Sequence, residues 1–117
     1  MATFPTPIAV GQKRSKYGNK KTVVGGIKFD SQKEAKRWNE LLMLQQAREI
    51  AGLMRQFRYP LFVNGVCVCT YVADAVYTDL RTGQVVTEDV KGGPRTTVYR
   101  LKKRLMKACL NIDIKEV

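Results

Sequence analysis

The sequence predicts one α/β domain in which a helix, three strands, a second helix and a final strand enclose a mixed sheet. Three observations carry that reading. The chain has 117 residues, room for one hydrophobic core and too little for two. Two stretches, one opening at Ser31 and one near Thr97, repeat apolar residues at helical spacing. Between and after them lie apolar, β-rich runs separated by Asn64-Gly65 and by other turn residues, and these read as strands. Elements in this order pack as helices on a mixed sheet.

Residues 1–21 are rich in Pro, Gly and Lys without apolar periodicity. They are expected to form a flexible basic N-terminal arm, leaving 22–117 as the single domain. TVVGGIKF, residues 22–29, reads as a short hairpin turning at Gly25-Gly26. Ser31 then opens a helix to about Arg48, with Ser31-x-x-Glu34 at capping-box spacing and Gly52 a little past the end. Ala35, Trp38, Leu41, Leu42 and Gln45 fall on one face of it, and Lys33, Lys36, Arg37 and Glu40 largely on the other. Strands are expected over Phe57–Val63 and Val66–Tyr77, the second long enough to bend or bulge. A third strand covers Gln84–Lys91, and Gly92-Gly93-Pro94 stops it. The second helix runs from about Thr97 to Leu110, with Val98, Leu101, Leu105 and Ala108/Cys109 as its apolar stripe. Ile112 and Ile114 alternate with polar neighbours in a last short strand.

Composition narrows the function. The net charge is +11, from 21 basic and 10 acidic residues, which points to a polyanionic partner, nucleic acid first. The charge is blocked: 11–21 and 100–107 each carry five basic residues and no acid. No apolar run reaches 18 residues, so no membrane helix is expected. Met1–Val10 does not read as a signal peptide, so a cytoplasmic protein is expected. Three cysteines without CxxC spacing and the absence of histidine argue against zinc. Hydrolysis would then use carboxylates, lysine, a metal, or a Ser or Cys nucleophile with another base.

Asp89-Val90-Lys91 places a carboxylate and an ammonium on one face of a strand. Asp74 sits among apolar neighbours in the preceding strand, where an unpaired charge is costly. Antiparallel neighbours bring Asp74 beside Asp89, and two carboxylates that close repel unless a cation lies between them. Mg²⁺, with Mn²⁺ as a substitute, suits such a pair. Glu34 shares the stripe of Trp38 and Leu41, so its side chain can reach the metal from the helix start. Each residue also has a plainer reading: Asp-x-Lys as a surface ion pair, Asp74 as a satisfied edge residue, Glu34 as the capping partner of Ser31.

The segments KYGNKK (16–21), GIKFDSQKEAKRW (26–38), YVADAVY (71–77), EDVKG (88–92) and YRLKKRLMKA (99–108) resemble small phage-encoded endonucleases of the PD-(D/E)xK nuclease superfamily. The likeness spans roughly 16–117 and implies a restriction-endonuclease-like αβββαβ core. It implies that Glu34, Asp74 and Asp89 hold the metal and that Lys91 orients or helps activate the attacking water. It also implies cleavage of DNA, first of branched DNA such as Holliday junctions, by a homodimer encoded by a phage or prophage in a bacterial host. Ala73 stands where the superfamily motif has proline. Glu88 points away from Asp89 in a regular strand and is the reserve ligand should the strand bulge. Gln56 matches a glutamine common in similar proteins, either touching substrate or ending a loop. Lys13, Arg14, Lys16, Lys20 and Lys21 of the arm, with Tyr99, Arg100, Lys103 and Lys107, are expected on DNA phosphates; the plainer reading of the last four is a solvated basic helix face. The competing functions are a non-catalytic basic nucleic-acid-binding module and an RNA-binding protein, the latter without the RRM aromatic motif.

Overall fold

The computed structural model describes residues 22–24 and 27–117. The arm expected over 1–21 and the turn expected at Gly25-Gly26 lie outside the described residues. β1 (Thr22–Val24) and β2 (Ile27–Phe29) form the small antiparallel hairpin. Then follow α1 (Gln32–Gln46), β3 (Ile50–Val63), β4 (Val66–Asp79), β5 (Gln84–Asp89), α2 (Thr97–Leu110) and β6 (Ile114–Glu116). The main sheet has the order β3-β4-β5-β6, antiparallel except for the parallel β5/β6 pair. The described residues are thus α/β, with a mixed four-stranded sheet and two helices in the order the sequence predicts.

α1 starts where predicted: the Ser31 hydroxyl accepts the Glu34 N–H at 3.1 Å, one of the orphan donors of a first turn. It ends at Gln46 rather than Arg48, which takes a left-handed φ of 63°. The first long strand begins at Ile50, seven residues before the predicted Phe57. Gly52 (φ 68°) and Gln56 (φ 53°) are both left-handed, and the register shifts between Ala51 and Met54. These interruptions hide the two-residue period that reveals a strand.

The core has two parts. Leu41 of α1 packs with Ile50, Ala75 and Tyr77, joined by Trp38 and Leu53. Met106 and Tyr99 of α2 pack with Leu61, Tyr71, Ala73, Val76 and Ile114. Along the β3/β4 ribbon the inward row therefore changes helix between Leu53/Ala75 and Phe57/Ala73. Gln56 and Asp74 stand at that changeover, opposite one another in the constant register Arg55↔Ala75, Phe57↔Ala73. The irregularity anticipated in the long strand lies elsewhere, at Cys67–Cys69 opposite Leu61 and Phe62, where the register shifts.

Two predicted stripes are corrected. Leu42, expected inside, is 40% exposed, while Arg37, expected outside, turns inward to Glu88. On α2, Val98 and Leu101 are exposed and Ala108 with them; Tyr99 and Met106 are the buried residues, with Leu105 and Cys109 packed beside them. An aliphatic-only template missed that Tyr99 can be buried with its hydroxyl bonded to Glu116 at 2.7 Å. The stems of Lys102 and Lys103 cover the flank while their ammonium groups reach the Thr70 carbonyl and Glu116, both at 3.0 Å. No helix among the described residues is long and apolar enough to cross a membrane.

Candidate active site

The β4/β5 register runs from Asp79↔Gln84 to Ala75↔Glu88 without a shift. One step further sets Asp74 opposite Asp89, and directly opposed residues share a face with Cβ atoms roughly 5 Å apart. The two carboxyl groups are close enough for Asp89 to raise the pKa of Asp74. Asp74 Oδ2 also accepts the Val90 N–H at 2.8 Å, so the acid closes the strand end where regular pairing stops. Lys91, two residues after Asp89, returns to the same side, its Nζ 3.1 Å from Asp89 Oδ2 and 3.6 Å from the centre of the Tyr99 ring. The Tyr71 hydroxyl donates to the same Asp89 oxygen at 2.7 Å. Asp89 is thus held from two sides, and Lys91 lies between a carboxylate and an aromatic face.

Glu34 combines its two readings at the start of α1. Its N–H is capped by Ser31, but its carboxylate turns to the Asp30 backbone, to Asp74 and toward Arg55 Nη2 at 4.0 Å. The side chain is 15% exposed. With Asp74, Arg55, Arg37 and Glu88 it lines a narrow cleft between α1 and the sheet, walled by Phe29, Trp38 and Val90. Arg55 stacks over the Phe29 ring at 4.5 Å and donates to the Lys28 carbonyl at 3.0 Å, tying the small hairpin to the cleft.

The electrostatics follow from crowding. Burial pushes the Asp74 carboxyl up to about 8, and the nearby Asp89 and the charge of Glu34 push the same way; the Val90 N–H opposes them. Glu34 is also raised, first by burial and then by Asp30, with Arg55 and the Asp74 contact opposing. Asp89 has Lys91 beside it and Glu34 faces Arg55, whereas among the described residues Asp74 has no cation of its own against the charges of its two acidic neighbours. Among the described residues no three His, Cys, Asp or Glu side chains converge into a ready-made metal cage. The donor set is nonetheless all oxygen and includes an opposed carboxylate pair, which suits a hard cation that keeps waters among its ligands. In that sense the residues fit Mg²⁺ or Mn²⁺.

Glu88, the reserve ligand, lines the same cleft as Glu34 and Asp74 but is already engaged by a cation. β5 does not bulge, and Glu88 faces α1 with no exposed surface. It receives Arg37 Nε at 2.9 Å, Arg37 Nη2 at 2.6 Å and the Tyr77 hydroxyl. Gln56, opposite Asp74, is exposed at the site's edge with its left-handed backbone. Of the predicted phosphate contacts on α2, Arg100 is exposed, and Lys107 is exposed while paired with Asp113 at 3.0 Å. Lys103 is engaged by Glu116, and Tyr99 belongs to the core, only 8% exposed. Lys13, Arg14, Lys16, Lys20 and Lys21 lie outside the described residues.

Sequence reasoning missed Arg37, Arg55, Tyr71 and Glu116. Arg37 carried a usable signal, a cation three residues after an inward acid on one helix face. Glu116 gathers Arg95 at 2.9 Å, Lys103 at 3.0 Å and Tyr99, and those partners hold its carboxyl down at about 2. Nothing local in the sequence marks it. A family model described as "Protein of unknown function (DUF1064)" matches residues 14–115. No curated protein and no solved structure matches the chain.

Proposed function

The chain belongs to the DUF1064 family, and from its carboxylate site we propose that it is a metal-dependent DNA endonuclease with a PD-(D/E)xK-type active site. The observation that carries this reading is the opposed pair Asp74/Asp89 at a strand end, with the Glu34 carboxylate against Asp74 and the Lys91 ammonium 3.1 Å from Asp89. Glu34, Asp74 and Asp89 would hold Mg²⁺ or Mn²⁺, which when bound polarises a phosphodiester and supports in-line attack by water. Tyr71 and Lys91 hold the Asp89 carboxylate in one orientation. Lys91, steadied by the Tyr99 face, supplies fixed positive charge where negative charge develops on the phosphate. No side chain serves as nucleophile.

The +11 charge favours a nucleic-acid substrate. Branched DNA such as a Holliday junction is the proposed substrate, on the likeness of the sequence to junction-cutting phage enzymes. Paired nicks would then require a homodimer. Residues 59–73 hold no charged residue and leave Phe62, Val63, Val66, Val68 and Val72 exposed, an apolar surface of the kind that a second copy covers.

The test compares labelled four-way junction with matched linear duplex, in Mg²⁺ or EDTA. Metal-dependent cutting of the junction alone is the expected result. Equal cutting of linear duplex keeps the nuclease and removes the junction preference, and a monomer on and off DNA by light scattering removes the paired-nick version. Tight, salt-sensitive binding without any cutting would establish the basic binding module instead.

A further inference from the structure

A fully buried carboxylate persists only when its charge is answered. Glu88 meets that requirement through the two-pronged Arg37 guanidinium, at 2.9 and 2.6 Å, and the Tyr77 hydroxyl, with Lys115 Nζ 3.9 Å away. A paired fork of this kind fixes direction as well as distance. Both of its ends adjoin the candidate site. Arg37 lies three residues after Glu34 on α1, and Glu88 immediately precedes Asp89 and pairs across the strands with Ala75, the neighbour of Asp74. A second tie, from Lys33 Nζ to the Lys91 carbonyl, joins the first turn of α1 to the end of the same strand. Glu34 sits between the two ties. Trp38, Leu41 and Ala75 lie around the fork beside the acids of the cleft, and replacing a buried ion pair by well-packed apolar residues is often neutral for stability.

We propose that the Arg37–Glu88–Tyr77 bridge is a positioning device: it sets the approach of Glu34 to the Asp74/Asp89 pair and thereby the affinity of the three carboxylates for a divalent cation. The inference rests on the reading of that trio as a cation site. The bridge lines the same cleft as Glu34 and Asp74, but the Glu88 carboxylate is taken up by Arg37 and Tyr77, and the bridge acts by holding α1 against the end of β5. Its loss therefore loosens metal binding and leaves the groups that bind DNA in place.

Two variants test it, with Mn²⁺ as the probe in calorimetric titrations and thermal melts in EDTA as the control. In the first, Arg37→Met and Glu88→Met are combined, so that neither charge is left buried alone. In the second, Tyr77→Phe removes only the hydroxyl bonded to Glu88. The double variant is expected to melt within a few degrees of the native protein yet to need at least tenfold more Mn²⁺ for half-saturation; Tyr77→Phe should need several-fold more. Cleavage lost at low metal should return at high metal. Native-like Mn²⁺ titrations in both variants would overturn the proposal while leaving the cation site intact. Should the double variant not fold, Tyr77→Phe decides alone, with an unshifted titration as the overturning result. A native protein that takes up no Mn²⁺ would instead bring down the cation reading, and this inference with it.

Discussion

Replacing Asp74 with asparagine keeps the shape of the side chain and an oxygen for the Val90 N–H, but removes one charge from a crowd of three acids. The Asp74 carboxyl is raised from 3.8 to about 8, chiefly by burial and by Asp89. A carboxyl whose folded value is raised contributes stability that is fully present below the unfolded value, near pH 4, and is lost as pH rises through about 8. Taken at face value a shift of that size corresponds to roughly 5–6 kcal/mol. Asp74 is partly exposed, and solvent screening reduces the figure to about 2 kcal/mol. The Asp74→Asn variant should therefore be more stable than the native protein at pH 9 in EDTA, by about 2 kcal/mol or roughly 5–10 °C in Tm, and equal to it below pH 4. Excess Mg²⁺ should close the gap by stabilising the native protein alone. Calorimetric melts from pH 4 to 9, with EDTA or Mg²⁺, measure this directly. A variant no more stable than the native chain across that range in EDTA would show Asp74 to be a well-satisfied structural acid and would refute the reasoning.

Three further outcomes follow from the same geometry. Lys91→Met keeps a long side chain against Tyr99 but removes the ammonium; single-turnover cleavage should fall roughly 100- to 1,000-fold while DNA affinity, by fluorescence anisotropy, changes little. Gly65 has φ 79° with open space around it, so Gly65→Ala should cost about 1 kcal/mol from backbone strain alone, read by urea unfolding. Arg100→Ala with Lys107→Ala should lower the slope of log affinity against log salt by about 2 if both touch phosphates, whereas Lys103→Ala, whose ammonium is engaged by Glu116, should change it far less.

The sequence was legible where one local rule decided the outcome. Ser31 fixed the start of α1, Asn64-Gly65 the long hairpin, and the two-residue period brought Asp74 toward Asp89 with Lys91 beside it. Even the inward turn of Glu34 could be read, because it shares a helix face with Trp38 and Leu41. Legibility ended where two rules competed. Residues 50–56 are strand despite left-handed Gly52 and Gln56, because pairing with β4 outweighs the broken alternation. Tyr99 is amphipathic, so the sequence could not tell a phosphate contact from a core residue whose hydroxyl finds Glu116. Arg37 and Glu88 are 51 positions apart, and only the assembled fold brings a cation on a seemingly outer helix face to a buried acid.

The central claim, that the opposed acids make a metal-dependent nuclease, is tested most directly by cleavage of a labelled DNA junction under single-turnover conditions by the native protein and by Asp74→Asn at equal DNA occupancy. The native protein should cut in Mg²⁺ and not in EDTA, and the variant in neither. Cutting by the variant at the native rate, or DNA bound but uncut by the native protein in both Mg²⁺ and Mn²⁺, would contradict it.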